Sequence, residues 1–212
     1  AINSDAGGGS LDTNHQVIGY SVQAAEKTFA TFNVSIHNPG GHSSIPRADN
    51  AIYELSAALQ AIAQYAFPAN SSSVTREYFR QNSLTVKGET GAAMARFAAD
   101  PSDTEAVAVL SKKPQYNGML RTTCVATMLA GGHAENALPQ SATATINCRI
   151  FPGETIAGVK QQLVDAVDNP DAQFKLWMPY PESPTSDPRD DVMAAVRAAV
   201  DTKSPGLPIV PY

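Results

Sequence analysis

The chain has 212 residues, 43% of them hydrophobic and 17% charged, with a formal net charge of −5. That is enough apolar material for a buried core, and it excludes a disordered chain. No basic cluster marks a nucleic-acid face, and no apolar run approaches the roughly 18 residues that a membrane span needs. The chain begins at Ala1 without a methionine, as a processed or excised piece would.

The first regular signal is a weak strand pattern over Val17–Val22. Residues Thr28–Asn38 then alternate cleanly, with Ala30, Phe32, Val34 and Ile36 on one face and Thr31, Asn33, Ser35 and His37 on the other. That is a half-buried strand. A turn-rich loop, Pro39–Pro46, leads into a helical period over Ala48–Ala66, with Ile52, Leu55, Leu59 and Ile62 as its stripe. Residues Pro68–Pro114 read as an alanine-rich insertion with short helices at Gly91–Ala99 and Thr104–Ser111. Strand character returns at Leu120–Leu129 and Ser141–Ile150, around a connection at Ala130–Gln140. Pro152–Thr155 opens a second helix, with Ile156, Val159, Leu163 and Val167 on one face, and Gln173–Met178 is a last short strand. This order predicts an α+β, ferredoxin-like domain: an antiparallel βαββαβ sheet with two helices on one face, interrupted by a helical insertion. A proline-rich linker then leads to a helix capped by Asp187-Pro188 and running to Asp201, and Gly206–Tyr212 is strand-like.

Four histidines are present, His15, His37, His42 and His133, none at the short spacing of an H-E-x-x-H zinc motif. His42 follows two glycines that let the backbone approach another molecule closely. There it could donate a hydrogen bond to a carbonyl or a developing oxyanion, although local sequence alone favours a plain loop histidine. Arg149 falls on the polar side of its strand, where a surface ion pair is the default reading and a bidentate grip on a carboxylate the alternative. Asn136 sits in the preceding connection, where turn formation explains it. Asp5 precedes Gly7-Gly8-Gly9, but no phosphate-loop or dinucleotide fingerprint completes that pattern. Cys124 and Cys148 both belong to apolar strand faces, and a hairpin centred on Asn136 would set them opposite one another. Buried free thiols are the favoured reading; a disulfide would point to an oxidising compartment.

Three separated motifs resemble the lid domain of one zinc-metallopeptidase family, which includes aminoacylases, acetylornithine deacetylase, carboxypeptidase G and yeast carboxypeptidase S. They are the loop Asn38–Asn50 around Gly40-Gly41-His42, the stretch Arg121–Thr127 with His133–Pro139, and Thr145–Thr155 around Arg149. The carboxypeptidase S branch is the most similar. The resemblance implies a lid domain over residues 28–178 with its insertion at about 68–114. Residues 1–27 and 179–212 would be stubs of an α/β catalytic domain, the first with a connecting strand and the second with a linker.

It further implies a homodimer formed through the lid and two zinc ions in the catalytic domain. His42 would reach across the dimer to stabilise the tetrahedral intermediate. Asn136 and Arg149 would recognise the substrate's oxygen atoms and terminal carboxylate, and Asp5 would be one zinc ligand. The family's H-x-D motif, its adjacent Glu-Glu pair and its late histidine are all missing here. The expectation is therefore a dimerisation and substrate-capping domain of a zinc-dependent carboxypeptidase or N-acyl-amino-acid hydrolase. Its substrate would be a peptide or N-acyl amino acid, and this chain alone would be inactive. The alternative is a non-catalytic ferredoxin-like dimerisation or binding module.

Overall fold

The computed structural model describes residues 7–184 and 186–212, so Asp5 lies outside the described residues. The chain opens with β1 (Gly7–Leu11), β2 (Val17–Val22), β3 (Thr28–His37), β4 (Gly41–His42) and α1 (Ala51–Gln64). Four helices follow: α2 (Ser73–Ser83), α3 (Gly88–Ala99), α4 (Thr104–Ser111) and α5 (Pro114–Leu120). Then come β5 (Thr123–Gly131), β6 (Ala137–Leu138), β7 (Ser141–Ile150), α6 (Ile156–Val167) and β8 (Gln173–Leu176). The last elements are α7 (Asp190–Asp201) and β9 (Ile209–Pro211). They form two compact units, one of Lys27–Pro68 with Thr122–Ser183, the other of the described parts of Ala1–Glu26, Ala69–Arg121 and Pro184–Tyr212.

The first unit is the ferredoxin-like domain. Its sheet runs β5-β7-β3-β8, and every neighbouring pair is antiparallel. The inward residues of β3 (Ala30, Phe32, Val34, Ile36) and β7 (Ala144, Ile146, Cys148, Ile150) are almost wholly buried. Burying each large side chain in that set contributes about 1.5–3 kcal/mol. The helix α1 covers them with Ala51, Leu55, Ala58 and Ile62, and α6 does so with Val159 and Leu163. The predicted stripe on α1 is rotated: Ile52 is 40% exposed, while the small Ala51 and Ala58 face the sheet. Small side chains there let the helix axis approach the sheet closely, and that displaces Ile52 towards the edge strand, next to Gly131. Asn50 caps α1 by accepting from the Ile52 and Tyr53 N–H groups, and the Thr155 hydroxyl caps α6 at Gly158.

Cys124 and Cys148 correct the sequence reading, which favours free thiols. They are directly opposed in the β5–β7 register, with Cα atoms 4.1 Å apart, and are joined as a disulfide. The hairpin keeps its register from Thr123 until an irregularity between Ala126 and Met128, so the pairing holds where the cysteines sit.

In the second unit β1 and β2 form a hairpin that β9 extends in parallel. The glycines Gly7–Gly9 belong to β1 rather than to a phosphate loop. The helices α2 to α5 enclose a separate core of Phe79, Met94, Phe97, Leu110 and Leu120. The periodicity finds α3 and α4 but not α2 or α5, since α2 buries only Val74 and Phe79. The helix α7 starts at Asp190 with Arg189 as an N-cap that makes no side-chain bond. Asp187, the expected cap, instead accepts a hydrogen bond from the Ser73 hydroxyl. Among the described residues no helix is long and apolar enough to cross a membrane.

Candidate functional site

His42 and Asn136 come together at one end of the ferredoxin-like sheet. The short strands β4 and β6 pair antiparallel, Gly41 with Leu138 and His42 with Ala137, and the Ser43 N–H donates to the Asn136 carbonyl at 2.9 Å. The chain reaches this position through two glycines with left-handed φ, Gly40 at 76° and Gly41 at 152°. A Cβ on Gly40 would lie 2.7 Å from the Gln140 side chain, so the pair of glycines serves both conformation and close approach.

The loop is cross-braced. Arg47 donates twice to Asp49, at 2.9 and 2.7 Å, and the Asn38 amide donates to the same carboxylate at 3.0 Å. The Arg47 guanidinium beside it holds the Asp49 carboxyl below the usual carboxylate range. His42 itself is exposed, and its Nδ1 lies 2.8 Å from the Ser44 hydroxyl and accepts from the Ser44 N–H at 3.2 Å. The Asn136 side chain is exposed and makes no hydrogen bond with a described residue.

Arg149 is not part of that cluster. It lies eight residues beyond Ser141 on β7, about 26 Å further along the strand. Cross-strand neighbours Phe29 on β3 and Thr123 on β5 flank it. Its guanidinium carbon sits 4.8 Å from the centre of the Phe29 ring, and Tyr180 meets that ring edge-on at 5.4 Å. The other seven arginines each donate at least one hydrogen bond to a carboxylate, hydroxyl or carbonyl. Arg149 donates none to any described residue. A planar guanidinium placed over an aromatic ring, with no hydrogen-bond acceptor among the described residues, is suited to a carboxylate.

Lys27 stands two residues before Phe29 on the same side of the chain. Burial pushes its amine down to about 8, against the attraction of Glu154 and with the repulsion of Arg149. Glu154 accepts from the Thr122 hydroxyl, which in turn accepts from the Phe151 N–H at 2.8 Å. The sequence reading missed Phe29, Lys27 and Ser44. An aromatic residue on the polar face of an alternating strand was the available signal for Phe29, and the His-x-Ser spacing was the signal for Ser44.

The remaining histidines, His15, His37 and His133, are exposed. Among the described residues no three His, Cys, Asp or Glu side chains converge as a metal centre requires. A cleft of about 1090 Å³ in the other unit, bordered by Tyr20, Tyr78, Asn82, Arg197 and Tyr212, contains none of the residues discussed above.

Known proteins match this chain in sequence and in fold. The model of the peptidase dimerisation domain (M20_dimer) matches residues 24–175. The N-fatty-acyl-amino acid synthase/hydrolase PM20D1 of Xenopus tropicalis is 28% identical over 149 residues, 70% of this chain and 28% of that protein. A probable carboxypeptidase S-like 2 of Dictyostelium discoideum is 32% identical over 139 residues, 64% of this chain and 25% of its own. This chain thus spans roughly a quarter of the length of each of these two relatives. In fold, it is similar to the M20 family metallo-carboxypeptidase Sso-CP2 of Sulfolobus solfataricus. The TM-score is 0.54 at 14% identity, over 96% of this chain and 55% of that one. The family model covers the ferredoxin-like unit from just before β3 into β8, and on that match the chain belongs to the peptidase dimerisation domain family.

Proposed function

We propose that this chain is the dimerisation and substrate-capping part of a zinc-dependent hydrolase that cleaves an amide bond next to a free carboxylate. The observation that carries the reading is Arg149, the one arginine with no hydrogen-bond partner among the described residues, its guanidinium carbon held over the Phe29 ring. A planar fork in that state suits a substrate carboxylate, and the exposed His42 and Asn136 suit the oxygen of the scissile amide. The names of two relatives, an N-fatty-acyl-amino acid synthase/hydrolase and a carboxypeptidase S-like protein, support a substrate of this class: an N-acyl amino acid or a peptide C-terminus.

The amide and the carboxylate of such a substrate lie within a few ångströms of each other. His42 and Arg149 of one copy are separated by the length of β7 and cannot both reach it. Two copies solve this: the histidine loop of one protomer would meet the arginine end of its partner. An apolar surface is available for that association. The edge strand β5 exposes Val125, Met128 and Leu129 at 59%, 62% and 70%, and α1 exposes Ile52 and Tyr53 beside it. Pairing two β5 edges about a two-fold axis would satisfy their free backbone groups and cover this surface.

The metal chemistry is assigned to sequence beyond the described residues, because those do not fit a dinuclear centre. Asp5 remains a candidate ligand outside them, and the 212-residue chain alone is expected to be inactive.

The test compares an N-acyl amino acid with its neutral C-terminal amide, using the complete hydrolase. Arg149→Met should raise KM for the acid about 50-fold, the loss of a charge-assisted bidentate contact, and leave the amide unaffected. Equal effects on acid and amide would overturn the assignment.

A further inference from the structure

We propose that Ser44 is a positioning residue that holds the His42 imidazole in a single tautomer, with its proton on Nε2. The ring is then left with one outward function, hydrogen-bond donation to a substrate oxygen. This rests on the reading of His42 given under Proposed function and deepens it, because a histidine in such a loop has three possible jobs. It can donate a hydrogen bond, act as a general base, or ligate a metal, and the last two need a lone pair on the outward nitrogen.

The geometry chooses among them. The Ser44 backbone N–H points at His42 Nδ1 at 3.2 Å. A backbone N–H can only donate, so Nδ1 must offer its lone pair. In a neutral imidazole that places the proton on Nε2. The Ser44 hydroxyl, 2.8 Å from the same nitrogen, must then also be a donor. The turn is closed by the Ile45 N–H donating to the His42 carbonyl at 3.0 Å, and it is anchored by the Ser43 N–H on the Asn136 carbonyl. The inward nitrogen is therefore occupied by the ring's own turn. The outward nitrogen carries a hydrogen and no lone pair, so His42 can neither take a proton nor bind a metal through Nε2. Of the two contacts to Nδ1, the hydroxyl is the shorter and the one a side-chain substitution removes.

The experiment has two arms. In the first, ¹⁵N–¹H multiple-bond spectra of the ¹⁵N-histidine-labelled 212-residue chain are recorded at about pH 8.5, where an ordinary imidazole is neutral. His42 should show a bare, hydrogen-bonded Nδ1 and a protonated Nε2. Ser44→Ala removes the shorter of the two contacts and should move the Nδ1 resonance towards that of a free imine nitrogen, with the proton kept on Nε2 by the remaining backbone N–H, and Ser44→Thr should restore the parent spectrum. A protonated Nδ1 in the parent, or a spectrum unmoved by Ser44→Ala, would overturn the proposal.

In the second arm, Ser44→Ala in the complete hydrolase should lower kcat about tenfold while KM stays within about twofold, with Ser44→Thr recovering most of the loss. If His42→Ala leaves kcat intact while the spectra behave as described, the functional reading of His42 fails and the tautomer lock stands. If His42→Ala abolishes turnover and Ser44→Ala alters neither spectrum nor kcat, the positioning role fails and the functional reading stands.

Discussion

The two ends of the ferredoxin-like sheet hold their functional groups by opposite means. At the loop end, His42 is fixed mainly by its own loop, with Ser44 on its ring and the Asn38–Asp49–Arg47 brace around it, and one short ribbon to Ala137–Leu138 is its link to distant sequence. At the far end, Arg149 is held by residues distant in sequence, with Phe29 under the guanidinium and Tyr180 against Phe29. The loop end is local and hydrogen-bonded, whereas the arginine end depends on cross-strand register and on packing. A donor that must meet a developing charge profits from rigid local geometry. A fork that must capture a whole substrate profits from being unpaired.

Substitutions at the two ends should therefore differ in kind and in size. The largest effect is expected at the loop: in the complete hydrolase, His42→Ala should lower kcat by about 10²–10³-fold, the range for losing one oxyanion donor, with little change in KM. A change confined to KM would mean that His42 acts only in binding. Next comes the disulfide, which ties Cys124 to Cys148, the neighbours of Thr123 and Arg149 at the arginine end. Replacing both cysteines with alanine should cost about 3 kcal/mol in urea unfolding, as expected for a closed loop of this size. The His42 ring spectrum should stay as it is, since the loop end owes nothing to that cross-link.

Phe29→Leu should have a smaller effect. Loss of a cation–π contact of about 0.5–1 kcal/mol predicts a KM for the carboxylate substrate raised by roughly two- to fivefold, with kcat unchanged. Smallest is the response to pH. Lys27 titrates near 8 in the folded chain against 10.5 for an unburied lysine. Between those values the unfolded state binds more protons, so stability should rise with pH across that window, while below about 8 the burial penalty is fully present. The slope of unfolding free energy against pH should therefore be shallower between pH 8 and 10.5 in Lys27→Met than in the parent. Identical slopes would show that the amine is solvated.

Much of the first unit was legible in the sequence, because its strands alternate and its helices carry cap residues. The alternation of Ala30, Phe32, Val34 and Ile36 predicts β3 over nearly its whole length, and Thr155 marks the start of α6. The turn-rich segment after β3 was legible as a loop because its glycines and prolines lie side by side, whereas its pairing with Ala137–Leu138 was not. What escaped depends on register or on packing over distance. The β5–β7 register decides that the two cysteines meet, and it cannot be read from their positions until the bulge beyond Ala126 is known to lie past them. The support of Arg149 by Phe29 required knowing that Phe29 and Arg149 are cross-strand partners. The polar helix α2 escaped because it buries just two side chains and shows little apolar stripe.

In the proposed dimer, one site takes its histidine from one copy and its arginine from the other. Mixing two variants of the complete hydrolase, His42→Ala and Arg149→Met, tests it directly. Random reassortment makes half of the dimers mixed, and each mixed dimer would contain one site with both residues intact. Assayed at substrate concentrations well below KM, activity should therefore rise from near zero to roughly a quarter of the parent value once the protomers exchange. If it stays at the level of the separate variants although mixed dimers form, the two residues do not share a site across the dimer, and the account is contradicted.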